Sequence, residues 1–289
     1  MRAFIYLITI YLIWGSTYLA MRIGVMEGSG FPPFALAGSR MLLAGPILLL
    51  ISYFKGNSIK LDANSFKRAF ISGCLLWCSG HGLILWGEQY VDSGYTALII
   101  SSLPVWVLVM ESFWNKKLPG LIQTLLVLFG LVGVLLLVYP KLYGDQKTDL
   151  VSTIAILIGT VSWGAGSLYQ KRYPLQGSSL TSSGYQQLFA GIVLLLISFL
   201  SSEPLPRPVS SAVFAWLYLV IFGSIIAFTV YVKALKELPA GVVMTHAYVN
   251  PIVAVTLGYL ILSEPVMPMM LLGGSVVLAS VFAIIVRKK

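Results

Sequence analysis

Few ionisable residues interrupt the apolar runs of this chain, and these are the ones with chemistry to offer. Arg40 stands inside "GSRMLLAGPILLL", Gly38 to Leu50. A guanidinium at that depth presents a rigid fork of donors suited to a carboxylate, which makes Arg40 a candidate substrate clamp. Its competing role is structural: an arginine that snorkels to cap a helix end, or that pairs with Glu88. Glu88, in "WGEQY", is a candidate proton-coupling carboxylate or half of a gate salt bridge. The only histidines are His81 and His246. Imidazole titrates near physiological pH, so either could carry a proton. His246 is the stronger candidate, because it stands five residues before Pro251 in a segment expected to line a cavity.

Other combinations exclude chemistry. Cys74 and Cys78 are four apart, on one helix face, and zinc needs more ligands than two. Ser79 and His81 would point roughly 200° apart on a helix, so they cannot act as nucleophile and base. Nucleotide-loop, H-E-x-x-H and G-x-S-x-G patterns are all missing from the sequence. The expectation is therefore a chain that is not an enzyme and holds no metal or cofactor.

The elements that must position these residues follow from composition. Of 289 residues, 58% are hydrophobic and 10% charged, against roughly 25% charged in a soluble domain. A spanning helix needs about 20 apolar residues, and ten such windows are present: 3–22, 33–54, 67–87, 93–113, 120–139, 150–170, 183–201, 211–233, 241–262 and 267–286. Both termini are expected in the cytoplasm. With that topology fourteen of the nineteen basic residues fall at cytoplasmic helix ends, and only Arg22, Arg40, Lys141, Lys147 and Arg207 fall toward the other side. The positive-inside rule thus accounts for the net charge of +9 without nucleic acid as a partner.

The chain also repeats itself. "GYQQLFAGIVLLL", Gly184 to Leu196, matches the Arg40 stretch at seven of thirteen positions, with Gln186 where Arg40 stood. Trp14-Gly15 recurs as Trp163-Gly164, Leu19 as Leu168, and Arg22 as Lys171. "SGYTALIISSLPVW" from Ser93 aligns with "AGVVMTHAYVNPIV" from Ala240, pairing Pro104 with Pro251. An odd number of spans per half inverts the second half, 150–289, relative to the first, 1–140. Inverted repeats are typical of secondary transporters, whose site lies between the halves near the bilayer midplane.

Three stretches, "WGSTYLAMRIG", "SRMLLAG" and "WGEQYVDSGYTALIISSLPVW", with "YVKALKELPAGVVMTHAYVNPIVAVTLGYLILSEP" in the second half, make the chain resemble the ten-helix EamA branch of the drug/metabolite transporter superfamily. That resemblance covers essentially the whole length. It implies a bacterial inner-membrane carrier, often an exporter of amino acids or related metabolites, with a cavity built mainly by helices 1–4 and 6–9. It also implies arginine at the Arg40 position across very different substrates, which favours the structural role there.

The expected architecture is an all-α membrane protein of ten transmembrane helices in two inverted five-helix repeats. Trp14, Trp77 and Trp163 are deep enough to wall a cavity, with Ser101, Tyr248, Asn250 and Arg40 as further substrate-binding candidates. Pro104 and Pro251, near the middle of equivalent helices, are candidate hinges because each removes a backbone hydrogen bond. Glu264, in "LSEP", reads as an outer cap on the ninth helix. Gly130, Gly133, Gly273 and Gly274 suit close helix contact, either within the bundle or between two copies. The expected activity is export of a small amphipathic metabolite by alternating access, with the proton as candidate coupling ion and a homodimer as candidate assembly. The alternatives are a passive facilitator, an importer, and a multidrug or organic-cation exporter.

Overall fold

Inside a bilayer each backbone amide must find its partner within the chain, and the apolar runs do this as helices. The computed structural model describes residues 2–116, 120–142 and 147–287, with the side chains of a few, Tyr248 among them, outside the description. The helices are α1 (Arg2–Val25), α2 (Pro33–Phe54), α3 (Ala63–Gly87), α4 (Ser93–Asn115), α5 (Leu121–Leu142), α6 (Lys147–Arg172), α7 (Ser179–Leu200), α8 (Ser210–Glu237), α9 (Ala240–Val243 and His246–Leu262) and α10 (Pro268–Arg287). No strand occurs among the described residues. Seven helices, α1 to α4 and α6 to α8, are long and apolar enough to span a membrane. The apolar stretches counted in the other three are shorter: Leu121–Leu137, Val249–Leu262 and Pro268–Ser280. The distal end of the bundle is the one at which α1 finishes and α2 begins, and the opposite end is proximal.

Several helix starts carry an explicit cap. Asp62 accepts from the Ser65 amide at 3.0 Å at the head of α3, and that bond holds its carboxyl below the usual carboxylate range. Ser178 does the same for α7 through Thr181 at 3.1 Å. Two distal starts are capped from across the bundle. Glu203 accepts from Phe34 and Ala35 at the head of α2, at 3.0 and 2.8 Å. Glu264 accepts from the Ser93 and Gly94 amides and the Ser93 hydroxyl at the head of α4. Glu264 therefore closes the start of α4 rather than the end of α9: a carboxylate gains more from free N–H groups than from a helix C-terminus, whose exposed carbonyls repel it.

Helix α2 runs against α7, and α5 against α10; α1 lies against α8 and α9, and α6 against α3 and α4. Exchanging α1–α5 with α6–α10 leaves this set of neighbours unchanged, as two inverted repeats would. The closest approaches rest on glycine. At Gly45 an added Cβ would stand 2.8 Å from the Leu188 amide nitrogen and 2.9 Å from the Gly184 carbonyl oxygen. At Gly133 and Gly273 it would meet the opposing backbone of the α5–α10 pair at 3.0 Å or less. These glycines, with Gly130 against Ser280 and Gly274 against Leu98, are thus occupied inside one chain.

The paired prolines sit differently from expectation. Helix α4 is interrupted at Ser101–Ser102 and restarts at Leu103, so Pro104 lies in the first turn of a new segment. There its missing N–H falls among the first-turn amides that have no helical partner, so the helix breaks before the proline rather than continuing through it. Pro251 does lie inside the second segment of α9, but the break in α9 comes at Met244–Thr245. The two halves therefore bend at different places relative to their prolines.

Replacing Gly45 by leucine should force α2 from α7 and cost about 1–3 kcal/mol, typical of overpacking. Thermal unfolding of the purified protein in detergent would read this as a lowered midpoint, and an unchanged midpoint would contradict the close approach.

Candidate functional site

The site is built around a buried charge. Arg40, two turns into α2, is only 2% exposed. Its Nε donates to the Ser224 hydroxyl at 2.7 Å, and one Nη lies 2.8 Å from His81 Nε2. A guanidinium can only donate, so His81 accepts there and is held as the neutral imidazole. The guanidinium carbon lies 5.4 Å from the centre of the Trp77 ring, a cation–π distance. Arg40 neither snorkels to a helix end nor pairs with Glu88: its partners lie deeper, on two facing helices.

Both partners come from the same kind of local structure. In α3 the segment Cys74–Gly82 is a π-helix, and in α8 so is Leu219–Ala227. A π turn adds a residue to the helix, rotating the residues beyond it by about 100° relative to an unbroken α-helix. In α3 the Ser79 hydroxyl donates to the Cys74 carbonyl at 3.1 Å and meets the Ser162 hydroxyl at 2.6 Å, tying the widened turn to α6. In α8, a Cβ on Gly223 would stand 2.7 Å from Arg40 Nη2. Any larger residue there would make the guanidinium shift from its present position beside Ser224.

Beside this charge lies an aromatic layer. Trp163 meets Trp14 and Trp77 edge-on, each with centroids 5.5 Å apart. Tyr231 lies 4.8 Å from Trp14, and Phe228 4.7 Å from Trp77. Edge-to-face pairs add about 0.5–1.5 kcal/mol each beyond burial, which makes the layer stiff. Trp163 Nε1 donates to the Tyr231 hydroxyl at 3.2 Å, and that hydroxyl meets Ser167 at 2.6 Å.

On the distal side of this layer is a cavity of about 60 Å³, room for a few waters. Helix α1 contributes Trp14, Thr17, Tyr18 and Met21, and α3 contributes Trp77, His81 and Ile84. Arg40 comes from α2, Ile100 and Leu103 from α4, Thr160 and Trp163 from α6, and His246 from α9. Of the candidates read from sequence, Trp14, Trp77, Trp163, Arg40 and His246 meet in this wall. Ser101 does not: its hydroxyl turns back to the Leu98 carbonyl at 2.6 Å, satisfying backbone at the α4 break. Asn250 sits just behind the wall. Its amide oxygen, oriented toward the His246 ring, accepts from Nδ1 at 3.3 Å, while its nitrogen donates to the Tyr11 and His246 carbonyls. The side chain of Tyr248 lies outside the described residues. Sequence reading underrated His81 and passed over Thr17, Tyr18 and Met21. In α1 the spacing held the signal, since 14, 17, 18 and 21 mark one helical face, whereas the π segment of α3 re-aims the residues around His81.

Glu88 lies outside the cavity wall. It is fully buried, and both carboxylate oxygens lack a hydrogen-bond partner among the described residues. Its electrostatic neighbours are Glu264 and Arg22. Arg22 reaches past the carboxylate to backbone, donating to the Glu88 and Gln89 carbonyls at 2.8 and 2.6 Å. Near the proximal end, Lys171 repeats the arrangement: it donates to the Leu235 and Leu238 carbonyls at 3.0 and 2.7 Å. A cation at the end of α1 thus holds the end of α3, and one at the end of α6 holds the end of α8. Cations suit helix C-termini because the free carbonyls carry the negative end of the dipole.

Comparison with known proteins places the chain in a wider set. A sequence model of the EamA-like transporter family matches residues 1–139 and 150–286. The chain is 34% identical over 254 residues to the "Uncharacterized inner membrane transporter YedA" of Escherichia coli K12, covering 87% of this chain and 80% of that protein. It is 23% identical over 277 residues to the "Uncharacterized transporter YoaV" of Bacillus subtilis, covering 96% and 94%. One solved crystal structure superposes with a TM-score of 0.70 at 18% identity, over 99% of this chain and 98% of the other. At that identity the likeness speaks for the fold.

Changing Arg22 to glutamine should loosen the distal closure over the cavity. With Cys74 and Cys78 replaced by serine and a cysteine placed at Thr17, an impermeant thiol reagent applied from the distal side should react on the order of tenfold faster in the Arg22→Gln protein, the factor expected when a charged hydrogen bond is lost. Equal rates would show that Arg22 does not close the cavity.

Proposed function

Because the chain belongs to the EamA-like transporter family, we propose that this membrane transporter of the cell inner membrane is a secondary exporter. Its cargo is a small amphipathic metabolite such as an amino acid or a related compound. Residues 1–140 and 150–289 act as two inverted repeats that exchange conformations to open the central cavity to one side and then the other. The single observation that carries this reading is the cavity itself. It lies beside the π segments of α3 and α8, is walled by three tryptophans, and has a cation latch toward either end.

Alternating access needs two closures that can break one at a time. Arg22 closes α1 against α3, and Lys171 closes α6 against α8. With both latches made, the cavity holds only about 60 Å³, so admitting a metabolite requires one half to move. The π segments, with Gly80 and Gly82 in one and Gly223 in the other, are where the helices can change register, and Pro251 adds a second flexible place in α9. Lipid surrounds the bundle, whose outward faces carry exposed leucine, isoleucine and phenylalanine side chains.

Proton coupling through Glu88 or His246 is part of the proposal. Among the described residues, Glu88 supports it as a buried carboxyl without a hydrogen-bond partner, and His246 supports it as an imidazole in the cavity wall whose Nε2 has none. An unpartnered charge is costly in such a place, so taking up or releasing a proton must accompany a change of surroundings.

Cells overproducing the wild-type protein should enrich at least one metabolite in the medium relative to cells making equal membrane amounts of Trp163→Ala. If no compound differs, export through this cavity is refuted. For coupling, Glu88→Gln and His246→Ala are each expected to alter the pH profile of transport in proteoliposomes. Profiles of both variants that superpose on the wild type would remove these residues from the proton path.

A further inference from the structure

The cavity wall has a charge of one sign only. Among its lining residues Arg40 is the single group with a permanent charge, and no aspartate or glutamate lines it. Arg40 makes two hydrogen bonds to protein, to Ser224 and His81, and both acceptors are neutral. The other N–H groups of its guanidinium have no protein acceptor among the described residues. The buried carboxylate that lacks a hydrogen-bond partner, Glu88, has Glu264 and Arg22 as its electrostatic neighbours and not Arg40. Trp77, 1% exposed and stacked near the guanidinium, also has its Nε1–H without a partner. A buried cation without a counter-charge, next to a free N–H donor, is a strongly unfavourable arrangement in an apolar interior unless an anion completes it.

Resting on the transporter reading of this same cavity, we infer that the cargo itself is the missing counter-ion: an organic monoanion, a carboxylate on an apolar or aromatic body. Its carboxylate is held by the free guanidinium N–H groups of Arg40 and by Trp77, while its body lies against Trp14 and Trp163. His246, whose Nε2 has no hydrogen-bond partner among the described residues, stands in the same wall and could meet a polar substituent of the cargo once the cavity opens. Organic cations are excluded by the same charge. The corresponding position of the second repeat is neutral: Gln186 is buried and bonded to Ser72 at 2.8 Å and to Gln170. The second repeat therefore offers no second guanidinium at the position equivalent to Arg40.

The test uses three probes of one size, benzoate, benzamide and benzylamine, binding to the purified full-length protein as followed by quenching of tryptophan fluorescence. Wild type should bind benzoate about tenfold more tightly than benzamide, the factor a charge-assisted bond supplies, and benzylamine most weakly. Arg40→Lys should keep that order with reduced affinity, whereas Arg40→Gln should still bind benzamide but lose its preference for benzoate. Benzoate binding no better than benzamide, including not at all, overturns the inference, as does a preference that survives Arg40→Gln. Should Arg40→Gln fail to fold, the wild-type ranking and Arg40→Lys still decide. Flux into proteoliposomes is read separately: benzoate bound through Arg40 but not moved breaks the transporter reading and leaves the anion site standing. Benzamide or benzylamine moved in preference to benzoate does the reverse.

Discussion

A single cation in an apolar interior organises the centre of this protein. On insertion scales an unpaired arginine deep in a membrane helix costs about 2.5–3.5 kcal/mol, so the surroundings of Arg40 must compensate with bonds. They do so in part, with two neutral acceptors, Ser224 on one side and His81 on the other, and each stands in the π segment of its helix. An α-helical register through Cys74–Gly82 or Leu219–Ala227 would aim these side chains elsewhere. The charge and the two widened turns therefore depend on each other, and α2, α3 and α8 meet at one point because of it.

The aromatic layer follows from that point. Trp77 is stacked near the guanidinium and edge-on to Trp163, which is edge-on to Trp14. The two tryptophans that head the matching Trp-Gly pairs of the repeats thus touch each other at the centre of the molecule, which is where an inverted duplication brings equivalent first helices together. Rigidity from ring contacts and adaptability from π turns sit side by side. A transport cavity needs both, a defined wall and helices able to shift against it.

Toward each end the repeats solve one problem in one way. Helix α3 finishes with free carbonyls and receives Arg22; α8 finishes with free carbonyls and receives Lys171. Around this shared device the halves differ. Where one half has Arg40 the other has Gln186, Pro104 opens a helical segment while Pro251 lies within one, and the distal starts of α2 and α4 are closed by glutamates of the other half. The neighbour relations of the two five-helix halves match, and the departures from that match give the two ends different chemistry.

Much of this was legible in the amino-acid sequence. Apolar runs of helical length, the Trp-Gly and Gly-x-x-x-Leu-x-Ala-Gly recurrences and the sparse charges determined an all-α membrane chain with a family identity and an aromatic centre, because hydropathy and backbone satisfaction leave a bilayer segment little choice. Equivalent spacing also singled out Trp14 and Trp163, which meet edge-on at the central cavity. Tertiary structure alone decided the partners: that Arg40 bonds His81 and Ser224 rather than Glu88, that Ser101 turns to its own backbone, that Glu264 caps α4, and that Gly133 and Gly273 meet within one chain. The physical reason is that sequence periodicity reports which face of a helix a residue occupies, while a π turn or a helix break re-aims that face. Long-range hydrogen bonds, between residues as far apart as Arg40 and Ser224, are set only when the helices have been brought together.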